Sequence, residues 1–277
     1  MPVAHHFGRF DFRVDVVLPD VSQQRLPAFL QLLFAPGQFG DLGLDALGAF
    51  QQRISDFGQV GNDVLDVGQG LAVVVRTAGH NLLYDTGPLY SAESDAGQRI
   101  IVPYLRASGI GRLDSLIVTH RDKDHSGGIV AVQEAVPIAR TLSSLPELPG
   151  ERCQAGQVWE WDGIRFTILH PDAAAYGHQA ARTNHMSCVL RIENAFASIL
   201  LTSDIEARDE QALLDRAAPL LRSDVLLVPH HGSATSSTPD FVAAVGAREA
   251  IIPVGYRNRF QHPRPEVVER YSGSRVW

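Results

Sequence analysis

Two histidines and two aspartates fall within six consecutive positions of the stretch VTHRDKDHSGG, residues 118–128. Crowded together, His120, Asp122, Asp124 and His125 repel one another or stay unsatisfied unless a cation organises them. Imidazole with carboxylate suits zinc, manganese or iron better than calcium. An EF-hand loop is a rival, because Asp122, Asp124, Ser126 and Gly127 fall near its ligand positions. It fails twice: its twelfth position is Gln133 where a bidentate Glu is needed, and a strand precedes it. A solvated polar loop without function is the bland alternative. Further candidate ligands recur where later apolar runs end, Asp204 after ILLTS and His230 with His231 after DVLLVP. In this reading Asp204 bridges two divalent ions and His230 completes the site containing Asp124 and His125. Two such ions can activate a water and steady both the attacking and the leaving oxygen.

These side chains can converge only if strand ends meet on one edge of a sheet. From Val64 the chain turns to short β-rich runs, VLDV, LAVVVR and NLLYD, each bounded by turn-forming residues. A helix fits residues 97–108, with Ile100, Ile101, Tyr104 and Leu105 on one face. DSLIVT follows as a buried strand and SGGIVAVQEAV as the next helix, so the charged cluster sits between strand and helix. Gly127 and Gly128 let that helix approach the loop closely. The second half repeats the pattern. Strands are expected near VWEW, IRFTILH, SCVLRI and SILLTSD, a helix over 207–221, the strand DVLLVP, a helix over 239–245, the strand AIIPVG, and a last helix near 265–271. Strand-rich halves that each finish in helices fit an α/β protein built as an αββα sandwich; a doubly wound α/β fold shares the same periodicity. Residues 1–57 form an N-terminal extension with helices expected over 24–34 and 44–57 and no assigned chemistry. Residues 58–277 form the expected catalytic domain.

The 277 residues are 45% apolar, enough for a real core, and the formal net charge of −7 argues against a generally basic nucleic-acid binder. A polyanionic substrate would have to be met by metal ions or a local arginine cluster. Cys153 and Cys188 show no C-x-x-C spacing and are read as two buried free thiols. No apolar run reaches about 18 residues, so no transmembrane segment is expected and the chain is read as soluble.

DVGQG (66–70), LLYDTGP (82–88), THRDKDHSGG, NHMSCVLRI (184–192), LLTSDIE (200–206), VPHHGS (228–233) and GYRNRFQHP (255–263) resemble, in order, the metallo-β-lactamase-like domain of the bacterial competence protein ComEC. The resemblance runs from about Asn62 to the C-terminus. It implies the metallo-β-lactamase-like fold, an αββα sandwich, and a metal-dependent hydrolase acting on DNA during its uptake in transformation. Asp122 stands where the wider superfamily has a histidine, which makes manganese as plausible as zinc for the two divalent metal ions. The superfamily's next ligand falls near Asn184 to Ser187, where His185 is available. Asp85 matches an aspartate that orients the metal loop without binding metal, and Asp66, Gln69 and Thr86 are expected to support the same edge.

The remaining polar residues are assigned to substrate. His231 and His262 are expected to protonate the leaving oxygen or steady developing charge, with Asn258 beside them at the rim and Asp124 the most critical carboxylate. Ser233, Arg257 and Arg259 are the expected substrate contacts. From Gly255 to Trp277, five arginines face two glutamates, a local balance of +3 (5 − 2) in an acidic chain. Lys123, the only lysine, lies inside the metal loop. The implied partners are DNA and, through the resemblance alone, a membrane channel, other uptake proteins and the bacterial inner membrane. ComEC proteins carry membrane helices before this domain and residues 1–57 contain none, so a fragment, an excised domain or a stand-alone relative is expected. Two rival functions share the fold: hydrolysis of a small ester, thioester or phosphate, and a non-catalytic metal-binding module.

Overall fold

The computed structural model describes residues 54–55, 61–177 and 183–277. Its first half contains β1 (Ile54–Ser55), β2 (Gly61–Val64), β3 (Val73–Arg76), β4 (Asn81–Tyr84), β5 (Leu89–Ser91) and β6 (Ser94–Asp95). A helical turn, Gly97–Ile101, then runs into α1 (Val102–Ala107), followed by β7 (Ser115–Val118), α2 (Lys123–Ser126), α3 (Ile129–Ala135), β8 (Thr141–Ser143) and β9 (Glu151–Arg152). The second half contains β10 (Val158–Trp161), β11 (Ile164–His170), β12 (Val189–Glu193), β13 (Ser198–Leu201), α4 (Ala207–Leu221) and β14 (Val225–Leu227). It ends with α5 (Pro239–Val245), β15 (Glu249–Ile251), α6 (Pro265–Arg270) and β16 (Arg275–Val276).

Two seven-stranded sheets result, one in the order β1-β2-β3-β4-β7-β8-β9 and the other running β10 to β16 in sequence order. The apolar runs alternate between two buried layers, which is why they read as unbroken hydrophobic text. Val73 and Val75 of β3, Leu82 and Tyr84 of β4 and Ile117 of β7 face Leu190, Ile199, Leu201, Val225 and Leu227 in a shared central core. Val74, Leu83, Leu116 and Val118 point outward under α1 and α3. Leu200 and Leu226 do the same under α4, α5 and α6. This is the αββα sandwich, and the doubly wound alternative is excluded.

Two expectations are corrected. The helix expected over 44–57 gives way at its end to β1, where Ile54 and Ser55 pair antiparallel with Asn62 and Gly61. The rest of that segment and the helix expected over 24–34 lie outside the described residues. Cys153 and Cys188 are not free thiols but a disulfide in the central core, with Cα atoms 6.0 Å apart. One cysteine follows β9 and the other precedes β12, so the bond joins the two sheets across 35 positions. That pairing leaves no local spacing signal. Among the described residues no helix is long and apolar enough to cross a membrane.

Candidate metal centre

Strands β4, β7 and β8 are mutually parallel, as are β13, β14 and β15, so their C-terminal ends lie side by side. Such an edge gathers residues distant in sequence. Asp85 and Thr86 follow β4, Thr119 and His120 follow β7, Ser203 and Asp204 follow β13, and His230 and His231 follow β14. Asp85, Ser203, His230 and His231 all have left-handed backbone, with φ of 60°, 50°, 49° and 55°. Each is an unfavoured conformation for a non-glycine residue, held by the surrounding structure. Downstream of His120 the loop enters α2 and then passes Gly127. A Cβ there would collide with the backbone of Pro88 and Leu89, so only glycine permits the contact.

Asp124, His125, Asp204 and His231 form the centre, with one potential ligand atom from each lying within 4.8 Å of all the others. Hydrogen bonds fix the histidine protons. The His125 Nδ1–H donates to Asp85 Oδ2 at 2.8 Å, and the His231 Nδ1–H donates to the Pro253 carbonyl at 2.6 Å. Both acceptors lack hydrogens, so the neutral form of each ring carries its proton on Nδ1 and turns Nε2, 3.3 Å from the other Nε2, toward the centre as the atom free to bind a proton or a cation. Two lone pairs so placed repel unless positive charge lies between or beside them. His120 is oriented alike: its Nδ1–H donates to Thr119 Oγ1 at 3.0 Å, and that hydroxyl donates to Asp85 Oδ2 at 2.9 Å. His120 Nε2 is fully buried and has no hydrogen-bond partner. Asp85 Oδ1 also accepts the Thr119 backbone N–H at 2.8 Å. One buried carboxylate thus aligns two imidazoles.

The carboxylate of Asp204 faces two histidine pairs with different oxygens. Oδ1 lies 3.2 Å from His125 Nε2 and 3.5 Å from His231 Nε2. Oδ2 lies 3.9 Å from His120 Nε2 and 3.9 Å from His230 Nε2. Asp122 Oδ2 stands 3.8 Å from His120 Nε2, and Asp124 Oδ2 3.5 Å from His231 Nε2. Separations near 3.9 Å are too long for hydrogen bonds. Imidazole nitrogens and carboxylate oxygens facing a shared space make a donor set that fits a divalent transition metal.

The electrostatics point the same way. Burial, with the neighbouring His125, pushes His120 down to about 3, leaving it neutral with a free lone pair. Burial also opposes charge on His125 and Asp204. Their mutual attraction overcomes it, with Asp85 aiding His125 and His231 aiding Asp204, so the imidazole rises well above its usual value and the carboxyl falls well below its own. His231 is likewise disfavoured by burial and raised overall by Asp204 and Asp124. The centre therefore demands positive charge, which a proton or a metal ion can supply.

Several site assignments change. His230, expected beside Asp124 and His125, faces the other side of Asp204, and His231 takes its place. Consecutive left-handed residues turn the pair, and sequence does not reveal which ring enters. His231 is buried with Nδ1 committed to Pro253, a ligand's orientation rather than that of the expected proton donor. His185 is outside the four-residue centre, its Nδ1 held by Asp209 at 2.8 Å. Asn258 spends its amide on its own loop: Nδ2 donates to the Gly255 and His262 carbonyls, and Oδ1 accepts the His262 N–H. It braces the rim instead of facing substrate. Ser233 is buried against Thr235, so it is not an open substrate contact.

The remaining named residues lie around this centre. Thr86 clamps the His125 carbonyl through its hydroxyl at 2.9 Å and its N–H at 2.7 Å. Asp66 Oδ1 accepts the Gly68 N–H, and Gln69 Oε1 accepts the Gly255 N–H, tying the 66–70 loop to the 255–263 loop. His262 lies at the edge, its ring centroid 5.9 Å from that of His230. Arg257 and Arg259 are exposed. Thr119 and Ser203, whose hydroxyls lie 2.6 Å apart among the histidines, were missed. Their signal was a hydroxyl residue immediately before a ligand at each strand end, in VTH and TSD.

Comparison with known proteins agrees with this geometry. Residues 65–256 match the family model described as the metallo-beta-lactamase superfamily. Competence protein ComA of Neisseria gonorrhoeae is 40% identical over 208 residues, covering 75% of this chain and 29% of that protein. ComE operon protein 3 of Bacillus subtilis is 30% identical over 245 residues, covering 78% of this chain and 31% of that protein. The chain thus spans under a third of these relatives' length. A solved structure from Parabacteroides distasonis superposes with a TM-score of 0.54 at 11% identity, covering 82% of this chain and 96% of that one. That likeness concerns the fold alone.

Proposed function

The chain belongs to the metallo-beta-lactamase superfamily, and from that premise we propose that it is a metal-dependent phosphodiesterase that hydrolyses DNA, its catalytic domain spanning residues 58–277. Two divalent cations, zinc or manganese, are assigned to the strand-end edge. Asp124, His125, His231 and Asp204 would hold one, and His120, Asp122 and His230, with Asp204 between the two sets, would hold the other. When bound, such ions supply Lewis acidity and lower the pKa of water. The observation that carries this reading is the Asp204 carboxylate, whose two oxygens address separate histidine pairs.

The chain's own groups do the remaining work. Asp85 and Thr119 hold the His125 and His120 rings so that their Nε2 atoms face the centre. Burial, with His230 and His231 nearby, holds His262 below the usual imidazole value, so near neutral pH it offers an N–H to the leaving oxygen without carrying charge. Lys123 and Arg259 wall the adjoining groove and supply positive charge for phosphate oxygens. The likeness to proteins named for competence supports DNA as the substrate class.

The test is cleavage of single- and double-stranded DNA by the purified chain with Mn. Asp124→Ala is expected to abolish cutting while circular dichroism and the unfolding transition stay those of a folded protein. Equal cleavage by that variant would place the activity elsewhere.

A further inference from the structure

A groove of about 590 Å³ opens beside Asp122 and Asp124, and its other walls include Lys123, Arg259, Tyr90 and Phe260. Both aromatic rings are open to solvent, Tyr90 at 42% and Phe260 at 43% exposure. Each carries a guanidinium, with Arg99 5.8 Å from the Tyr90 ring centre and Arg259 4.8 Å from that of Phe260. The rings are held in place. The Tyr90 hydroxyl donates to the Val67 carbonyl at 2.9 Å, and Phe260 rides on the loop that Asn258 closes and Gln69 anchors. Phe260 also lies parallel to His262, with centroids 5.9 Å apart and planes 12° apart, and His262 leads on to His230. A row of rings thus runs from the groove to the metal edge.

Flat, exposed π faces interleaved with cations suit a strand whose bases are free to stack, because stacking accepts any base while the cations follow the phosphates. A duplex keeps its bases stacked on each other and offers such rings nothing. We propose that this groove, which Tyr90 also lines, is a nucleobase-stacking subsite, in which an unpaired base of the substrate strand lies on Phe260 while Lys123 and Arg259 hold its phosphate. The assignment rests on the phosphodiesterase reading and adds to it a preference for unpaired strands. Phe260 packs beside His262 but carries no metal-ligating or proton-donating group of its own: its ring is a platform.

The experiment compares wild type, Phe260→Ala and Phe260→Tyr on an oligodeoxythymidine strand and on an abasic strand of equal length. The two share sugars and phosphates and differ only in bases. Cleavage with Mn is measured alongside fluorescence anisotropy of fluorescein-labelled strands in EDTA. Phe260→Ala is expected to lose roughly tenfold in kcat/KM and in affinity on the thymidine strand, to match wild type on the abasic strand, and to be rescued by Phe260→Tyr. Equal performance of wild type and Phe260→Ala on thymidine, or equal losses on both strands, would overturn the stacking subsite and leave the phosphodiesterase reading standing. Base-dependent binding through Phe260 without any cleavage would retain the subsite and overturn the phosphodiesterase reading.

Discussion

Replacing Asp85 by asparagine tests whether the buried carboxylate sets the chemistry of the metal edge. Asn keeps an oxygen for the Thr119 backbone N–H, but its amide NH2 replaces the oxygen that accepts His125 Nδ1–H at 2.8 Å. Two donors cannot share that contact, so the His125 proton moves to Nε2, where Asp204 Oδ1 accepts it at 3.2 Å. The Thr119 hydroxyl, which donates to the same oxygen at 2.9 Å, must turn to Ser203 Oγ at 2.6 Å, so the metal-free protein exchanges hydrogen bonds while one nitrogen loses the lone pair a cation needs. Loss of such an orienting group typically weakens metal binding about 10- to 100-fold. At a metal concentration 100 times the wild-type Kd, binding stabilises wild type by about 2.7 kcal/mol, and the same concentration would stabilise the variant by only about 0.4–1.4 kcal/mol. With about 2–4 °C of Tm per kcal/mol in a chain of this size, the metal-induced shift falls from about 5–11 °C to about 1–6 °C. Thermal unfolding of both proteins with and without Mn or Zn measures this directly. An unchanged metal-induced shift in Asp85→Asn would refute the proton assignment, as would a metal-free variant too unstable to show a transition.

Metal content separates the two halves of the edge: His231→Ala and His230→Ala should each retain about one ion per chain by elemental analysis, with Asp204→Ala retaining less than either. Equal retention of two ions by all three variants would remove Asp204 as a bridge. Asp162 gives a pH test away from the site. Its carboxylate accepts from the Thr77 hydroxyl at 2.5 Å, the Gly79 N–H at 2.8 Å and His80 Nδ1 at 3.0 Å, and those bonds hold it down to about 2 from the ordinary 3.8. A depressed folded-state carboxyl contributes stability above its unfolded pKa and loses it as pH falls through the folded one. The Tm gap between wild type and Asp162→Asn should therefore be constant above about pH 5 and close toward pH 2; a gap that persists undiminished at pH 2 would count against it.

What could be read from the sequence follows burial. Strands buried on both faces appear as apolar runs, so β3, β4, β7, β13 and β14 were found, as were α4 and α5 with their bounds. Helix α4 also announces itself through Glu206 and Asp209, which cap each other across its first turn. The short strands β8, β9 and β16 were not legible: two or three residues carry no periodicity, and Glu151 and Arg152 of the edge strand β9 are exposed and charged. The site was legible to the level of which loops converge, because a ligand-type residue follows each of β4, β7, β13 and β14. It was not legible to the level of which atom faces which. The exchange of His230 and His231 turns on backbone φ, and the commitment of the Asn258 amide to its own loop turns on that loop closing on itself.

That division reflects how the edge is held. A left-handed non-glycine residue costs on the order of 1–2 kcal/mol, and Asp85, Ser203, His230 and His231 place such residues in the strand-end loops around the centre. Each loop grows from a strand rooted in the central core, where Tyr84 also donates its hydroxyl to the Cys188 carbonyl at 2.5 Å and ties one sheet to the other. Cys188 in turn donates its N–H to the Thr119 carbonyl at 3.3 Å, one residue before His120, and its side chain is bonded to Cys153. The inter-sheet bond and His120 are therefore joined through a single peptide. Strain in the loops is tolerable because the layers beneath cannot slide, and the geometry of the edge is a property of the packed sandwich as much as of the residues that line it.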